Sequence, residues 1–155
     1  MREDDRRRES RGHPPQRRLR IYTEEIRDAE KQRIGFRVVT LDGKQGELAD
    51  KYSVHGPRVG SYRVNVESFE RVALPSLEME KGRILIIDEI GKMECFSEPF
   101  VRRVREIFQA GYPVLATIPL RGGEFLEEIR RQRDVITFIV TTVVLQLPAR
   151  PCLGE

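Results

Sequence analysis

Hydrophobic and polar residues alternate with a period of two through the first half of the chain. The alternation runs over residues 20–28 and 32–49, on either side of a short polar break. Because successive side chains of a β-strand point to opposite faces, this pattern predicts a half-buried β-hairpin. Asp42 and Gly43 predict a second turn, since this pair of residues favours the backbone angles of a tight hairpin.

The segment that follows changes from a strand to a helix. The strand is predicted from apolar residues at alternate positions, which are Tyr62, Val64 and Val66. Over residues 67–80 the apolar positions recur at helical spacing, which predicts an amphipathic helix. Asn65 or Ser68 is its expected N-cap, and Pro75 is expected to bend or restart it.

The second half of the chain alternates strands and helices. Its aliphatic runs are typical of strands that are buried on both faces, and the segments between them have helical spacing. The predicted strands are residues 84–87, 114–118 and 136–140, and the predicted helices are residues 97 to about 110 and 124–133. This order is that of a parallel sheet covered by helices, so the sequence predicts an α/β sandwich of three layers.

Two acidic residues, Asp88 and Glu89, directly follow the first of these aliphatic strands. In open α/β sheets the ligand lies outside the carboxyl ends of the strands. Two adjacent carboxylates there are costly unless a cation, a water or a partner interacts with them. The pattern alone leaves two interpretations open, a ligand-binding site and an exposed turn that Gly91 ends.

The composition predicts a single soluble domain in a reducing compartment. The 155 residues are 39% hydrophobic and 34% charged, which is typical of a globular protein. The longest apolar region, residues 135–147, is too short for a membrane span and contains polar residues, so no membrane contact is expected. Cys95 and Cys152 have no metal-ligand spacing and form no disulfide framework, which favours the cytoplasm or the nucleus.

The first 20 residues carry the positive charge of the chain. They contain eight arginines and four acids, a balance of +4, against +3 for the whole chain. Residues 1–19 offer almost nothing apolar to bury and are therefore predicted to be a disordered, arginine-rich tail. A nucleic-acid arm is the less favoured interpretation, because no aromatic residues lie between the arginines to stack on bases.

Seven blocks of sequence carry a resemblance to a known family. They are YTEE (22–25), RIGFRVVTLDG (33–43), RVGSYRVNVESFE (58–70), ALPSL (73–77), IIDEIGKME (86–94), ATIP (116–119) and FLEEIRRQRDVITFIVT (125–141). In this order they resemble the cancer-related nucleoside-triphosphatase family over residues 20 to 141. The resemblance implies one P-loop NTPase-like domain at 20–147, with an irregular tail at 148–155.

The resemblance also implies roles for the acidic pair. The strand that ends there would be the Walker B strand, with Asp88 holding Mg²⁺ through water and Glu89 orienting or deprotonating the attacking water. Thr117, at the tip of the neighbouring strand, would lie beside the γ-phosphate, an inference from its position. Lys92 and Glu94 are interpreted as ordinary turn residues.

The sequence departs from the family before the YTEE block. Family members have a strand, a phosphate loop of the form G-x-x-x-x-G-K-[ST] and a helix there, and none of the 12 glycines of this chain begins such a loop. The fold is therefore expected to be incomplete at the N-terminus, without this first strand, loop and helix. Unpaired strand edges would then favour self-association.

The expected function follows from both the match and the departure. The family activity is Mg²⁺-dependent hydrolysis of a nucleoside triphosphate to the diphosphate and phosphate, with ATP, GTP or other bases. Without the loop that holds the phosphates, this chain is expected to be weakly active or inactive. The alternative is a non-catalytic truncated isoform that acts as a binding or regulatory module.

Overall fold

The computed structural model describes residues 18–79 and 82–141, with side chains described from residue 21 onward. Most of the predicted tail at 1–19 and all of the predicted tail at 148–155 lie outside these residues. The chain divides into two compact units, the first ending at Pro119 and the second beginning at Leu120. The sheet and the residues that follow its strands belong to the first unit.

The first unit contains a mixed sheet of seven strands in the described residues. The strands are β1, Arg18–Arg27; β2, Arg33–Thr40; β3, Gln45–Asp50; β4, Arg58–Val59; β5, Tyr62–Val64; β6, Leu85–Asp88; and β7, Val114–Ala116. The helices are α1, Val66–Ser76, and α2, Glu98–Gln109, with a single 3-10 turn at Glu94–Phe96. The strand order is β4-β5-β3-β2-β1-β6-β7, and the predicted α/β class is confirmed.

The predicted hairpins are confirmed at both turns. β1 pairs antiparallel with β2, and β2 pairs antiparallel with β3. At the first turn, the Gln32 backbone N–H donates a hydrogen bond to Asp28. At the second turn, Gly43 has a φ of 84°, which favours glycine, and its N–H donates to the carbonyl of Thr40.

The helix α1 covers the antiparallel part of the sheet. The side chain of Asn65 accepts a hydrogen bond from the Ser68 N–H, so Asn65 is the N-cap, one of the two predicted candidates. Val66 was expected to continue the strand, but this cap turns the chain into the helix at Val66. The helix ends at Ser76, one residue after Pro75, and its buried side chains are Phe69, Val72 and Ala73.

The helix α2 packs against α1. Ser97 is its N-cap, as predicted, and Gly111 follows its end with a φ of 69°. Phe100, Val104 and Ile107 are fully buried, and the rings of Phe69 and Phe100 meet edge to face with centroids 5.1 Å apart. These contacts join the two helices through their apolar faces.

The strand β6 lies between β1 and β7 and is parallel to both. Both edges of β6 are therefore paired, and the sheet ends at β4 on one side and at β7 on the other. β1 begins at Arg18, inside the segment assigned to the tail, and its first half pairs with β6 from Arg18 opposite Leu85 to Tyr22 opposite Asp88. The longer β1 satisfies backbone groups of β6 that a shorter hairpin strand would leave unpaired.

The predicted strand at residues 136–140 is not a strand in the structure. The described part of the second unit contains one helix, α3, Glu124–Arg130, in which Leu126 and Ile129 are buried. Residues 135–141 follow it without regular structure, and Ile136 and Phe138 are about four-fifths exposed, at 79% and 82%. An aliphatic run becomes a strand only when it pairs with a neighbour that accepts its backbone hydrogen bonds. In the described part of the chain, no strand of the sheet pairs with residues 135–141.

Replacing Ser97 with Ala should destabilise the first unit. The Ser97 Oγ accepts a hydrogen bond from the Phe100 N–H at 3.1 Å and donates one to Glu70 of α1 at 2.6 Å. Loss of an N-cap and a partly buried hydrogen bond should lower the free energy of unfolding by about 1–2 kcal/mol in urea denaturation. Ser61→Ala, at an exposed serine, is the control, and equal effects of the two substitutions would contradict this interpretation.

Candidate functional site

The acidic residues predicted to bind a ligand lie at the carboxyl end of β6. Asp88 is the last residue of β6 and is exposed, and Thr117 follows the last residue of β7. Because β6 and β7 are parallel, with Ile87 opposite Ala116, both residues reach the same edge of the sheet. The Thr117 hydroxyl donates a hydrogen bond to Asp88 Oδ1. The structure therefore brings these two predicted residues together.

The turn after β6 is anchored to the end of β7 through the backbone. The Thr117 N–H donates to the Ile87 carbonyl at 3.1 Å, and the Ile90 N–H donates to the Thr117 carbonyl at 2.9 Å. Ile90 is fully buried, although it follows two exposed acids. Glu89 is thus held between the end of the strand and a residue fixed in the core.

The carboxyl of Glu89 is partly shielded from water, although the residue as a whole is exposed. This shielding raises the pKa of Glu89, and the neighbouring charge of Asp88 raises it further. A raised pKa makes a carboxylate a stronger proton acceptor once it is ionised. The arrangement can therefore take a proton from a group bound beyond the strand end.

Glu94 is buried, which corrects its interpretation as an ordinary turn residue, whereas Lys92 is exposed as expected. Glu94 Oε1 accepts a hydrogen bond from the Thr23 hydroxyl at 3.3 Å, and Glu94 Oε2 accepts one from the Gly91 N–H at 3.1 Å. Burial, which is the main cause, and the nearby charge of Glu89 raise the pKa of Glu94 to about 7.

The sequence contains a local signal for the hydrogen bond between Glu94 and the Gly91 N–H. In a capping box, a Glu three residues after the start of a helical turn bonds back to the N–H of the starting residue. Gly91 and Glu94 have this spacing, and the Cys95 N–H closes the turn by donating to the Gly91 carbonyl at 3.2 Å. The signal predicts the bond to Gly91 but not the burial of Glu94 or its contact with Thr23.

Gly91 has no room for a side chain. Glu89 Oε1 lies 2.7 Å and Glu94 Oε2 lies 2.8 Å from the position that a β-carbon would take at Gly91. The two carboxylate oxygens are therefore at most about 5.5 Å apart, which is the sum of these distances. A β-carbon at this position would therefore force one or both of these carboxylates to move.

The described residues contain no group of three or more His, Cys, Asp or Glu side chains that could enclose a metal ion by themselves. A hard cation such as Mg²⁺ is usually bound by one or two carboxylates and keeps several waters or phosphate oxygens as its other ligands. The exposed Asp88 carboxylate, with a hydroxyl beside it, fits this kind of site. Among the described residues, no helix is long and apolar enough to cross a membrane.

Sequence comparison identifies the family of the chain. The sequence profile of the NTPase family matches residues 20–144. The chain belongs to this NTPase family. The match begins inside β1, extends past β7 and includes all the residues of the site, so this geometry is that of a member of the NTPase family.

Named nucleoside-triphosphatases are similar to this chain over about 70% of their own length. It is 48% identical over 136 residues to the cancer-related nucleoside-triphosphatase homolog of Mus musculus, covering 78% of this chain and 71% of the relative. It is 43% identical over 120 residues to the nucleoside-triphosphatase THEP1 of Thermotoga maritima, covering 76% of this chain and 68% of the relative.

Two solved structures have the same P-loop NTPase fold. The crystal structure of THEP1 from Aquifex aeolicus superimposes with a TM-score of 0.68 at 39% identity, covering 77% of this chain and 72% of that one. The solution structure of a human cancer-related nucleoside triphosphatase gives a TM-score of 0.65 at 42% identity, covering 81% and 74%. Both the fold and the family expected from the sequence blocks are confirmed.

Replacing Glu94 with Gln should change how the free energy of unfolding depends on pH. Folding raises the pKa of Glu94 from its ordinary value of 4.5 to about 7, so the folded chain holds this proton more tightly than the unfolded chain. The resulting stabilisation is fully present below pH 4.5 and is lost as the pH rises to about 7. Its size is on the order of 3 kcal/mol.

Urea denaturation near about pH 5 and about pH 8 measures this effect. Relative to the wild type, Glu94→Gln should become more stable as the pH rises, because Gln carries no charge that must be buried. Glu78→Gln, at an exposed glutamate, is the matched control and should follow the wild-type profile. Parallel profiles for the wild type and Glu94→Gln would show that Glu94 does not titrate in this range.

Proposed function

We propose that this chain binds a nucleoside triphosphate with Mg²⁺ at the carboxyl end of β6 and hydrolyses it slowly to the diphosphate and phosphate. Membership of the NTPase family and the names of its relatives support the substrate class. The single observation that carries the proposal is the arrangement of Asp88, Glu89 and Thr117 at the adjacent carboxyl ends of β6 and β7. The proposal includes broad base choice, because these residues would face the phosphates.

Asp88 is the proposed holder of the cation. Its carboxylate is exposed and ends the strand, so it can hold a hydrated Mg²⁺ through water without any change in the backbone. When bound, Mg²⁺ would neutralise charge on the phosphate oxygens. Thr117 orients the Asp88 carboxylate through its hydroxyl, and it is also proposed to lie beside the γ-phosphate.

Glu89 is the proposed general base. Water attacks the γ-phosphorus, the bond from that phosphorus to the bridging oxygen breaks, and the proton of the water passes to the Glu89 carboxylate. The raised pKa of Glu89 supports this role, since a more basic carboxylate accepts the proton more readily. Its backbone is fixed by the neighbouring Ile90, whose N–H is bonded to β7.

Slow turnover is part of the proposal. The sequence contains no G-x-x-x-x-G-K-[ST] motif, whose backbone N–H groups and Lys hold the β- and γ-phosphates in P-loop enzymes. Phosphoryl transfer depends on positioning and charge neutralisation, and this loop supplies much of both. The acids at β6 supply the remaining part.

A non-catalytic binding or regulatory module is the second candidate. It is favoured by the exposed apolar segment in the second unit, where Ile136, Phe138, Ile139 and Val140 are each at least two-thirds exposed. Exposed apolar stretches of this kind mark interaction surfaces. The absence of Mg²⁺-dependent nucleotide binding would support this candidate over hydrolysis.

Substitution of the two acids should separate binding from turnover. Glu89→Gln should lower Mg²⁺-dependent phosphate release by about 10²-fold or more, the usual contribution of a general base, with little change in nucleotide affinity. Asp88→Asn should weaken the dependence on Mg²⁺. Phosphate release and nucleotide titration, each with and without Mg²⁺, measure these effects.

Two comparisons make this experiment decisive. Glu78→Gln should behave as the wild type, and the same chain preceded by a strand, a phosphate loop and a helix of the family type should turn over faster. Hydrolysis that is equally fast without the added loop, and that Glu89→Gln leaves unchanged, would refute both the loop argument and the general base.

A further inference from the structure

Glu94 is the one acidic residue that is buried in the described part of the chain, with 3% of its surface exposed. Burying a carboxyl group is costly unless hydrogen bonds compensate for the lost water. Both of its oxygens have such a partner, the Thr23 hydroxyl and the Gly91 N–H. Because burial of Glu94 lowers stability and Glu94 lies beside the candidate site, we ask which part of the site Glu94 holds in place.

The two hydrogen bonds of Glu94 connect the turn after β6 to the middle of the sheet. Thr23 lies on β1, which is paired with β2 on one side and with β6 on the other. Gly91 lies in the turn, two residues after Glu89. The turn is therefore held at Ile90 by the end of β7 and at Gly91 by a side chain that is anchored on β1.

Contact at Gly91 transmits this anchoring to Glu89. The carboxylate of Glu89 lies against the Gly91 backbone, on which Glu94 also lies, so closely that neither leaves space for a β-carbon there. Movement of Gly91 would remove the surface against which Glu89 packs. Displacement of a reacting group by as little as about 1 Å can cost about 10²-fold in rate.

We propose that Glu94 is a positioning residue for Glu89: its buried carboxyl, anchored by Thr23, fixes the Gly91 N–H and so the turn that presents Glu89 beside Asp88. The inference rests on the proposed function, because it gives Glu94 a role through the general base. Glu94 itself touches neither the nucleotide nor the attacking water. Its loss should therefore lower turnover without lowering nucleotide affinity.

The first measurement requires no catalysis. In the full chain, NMR follows hydrogen exchange of the Gly91 amide relative to the Thr117 amide, which bonds to Ile87 at the same end of the sheet. Glu94→Ala should speed the relative exchange of Gly91 by about tenfold, as expected for the loss of one hydrogen bond. Glu94→Gln, whose amide oxygen still accepts the Gly91 N–H, should keep the wild-type ratio.

The second measurement is the division between turnover and affinity. With Mg²⁺ and ATP, Glu94→Ala should lower phosphate release by about tenfold while the dissociation constant stays within about twofold, and Glu94→Gln should restore most of the rate. A residue that only stabilised the fold would not separate the two quantities.

One further variant is a control, and another replaces Glu94→Ala if that protein does not fold. Glu70→Ala removes another carboxylate that links two elements, through its bond to Ser97, and should leave the Gly91 ratio unchanged. Should Glu94→Ala fail to fold, Thr23→Val provides the same test, because it removes the hydroxyl that anchors Glu94 while keeping nearly the same volume.

The outcomes distinguish this inference from the proposed function. An unchanged Gly91 exchange ratio in Glu94→Ala, or affinity that falls as far as turnover, would overturn the positioning role. If the wild-type chain releases no phosphate, the proposed activity fails, and the exchange ratio still decides whether Glu94 holds the turn of Glu89.

Discussion

The strand β6 has to satisfy its backbone hydrogen bonds on both sides, and the first unit is organised around this requirement. β1 and β7 pair with it in parallel, which aligns the carboxyl ends of β6 and β7. Leu85 and Ile87 are then buried in the core, while Asp88 and Thr117 meet where the strands end. The site is therefore a consequence of sheet topology, because neither side chain could find the other without the parallel register.

In the turn after β6, an exposed residue is followed directly by a buried one. Glu89 is exposed at the strand end, whereas Ile90 directly after it is fully buried. The chain accommodates both through a compact helical turn that is closed by Glu94 and made possible by the missing side chain at Gly91. The buried carboxyl costs stability near neutral pH, and local stability given up in this way is common where residues are held for function.

Local patterns in the sequence predicted the elements whose causes are local. Alternation predicted the hairpin, Ser97 was the predicted cap of one helix, and Asn65 was one of two candidates for the cap of the other. Caps and turns can be predicted in this way because they depend on residues a few positions apart. The prediction of a strand at 136–140 was wrong because the apolar pattern describes the segment alone. It does not tell whether a neighbouring strand pairs with that segment. The burial of Glu94 could not be inferred either, since its anchor, Thr23, lies 71 residues away in the sequence.

In the proposed reaction, the acids of β6 and a phosphate loop would contribute to different stages. A loop that binds the β- and γ-phosphates acts on the bound substrate and on the transition state, so its absence weakens both affinity and turnover. A general base acts as the water attacks, so its contribution is to the transition state alone. The parallel register of β6 and β7 places Asp88 and Thr117 at one edge of the sheet, so the strands themselves set the geometry proposed for the second contribution. Family membership establishes the fold but not the activity of this chain. Measurements of nucleotide affinity and turnover decide whether the chain also has the activity.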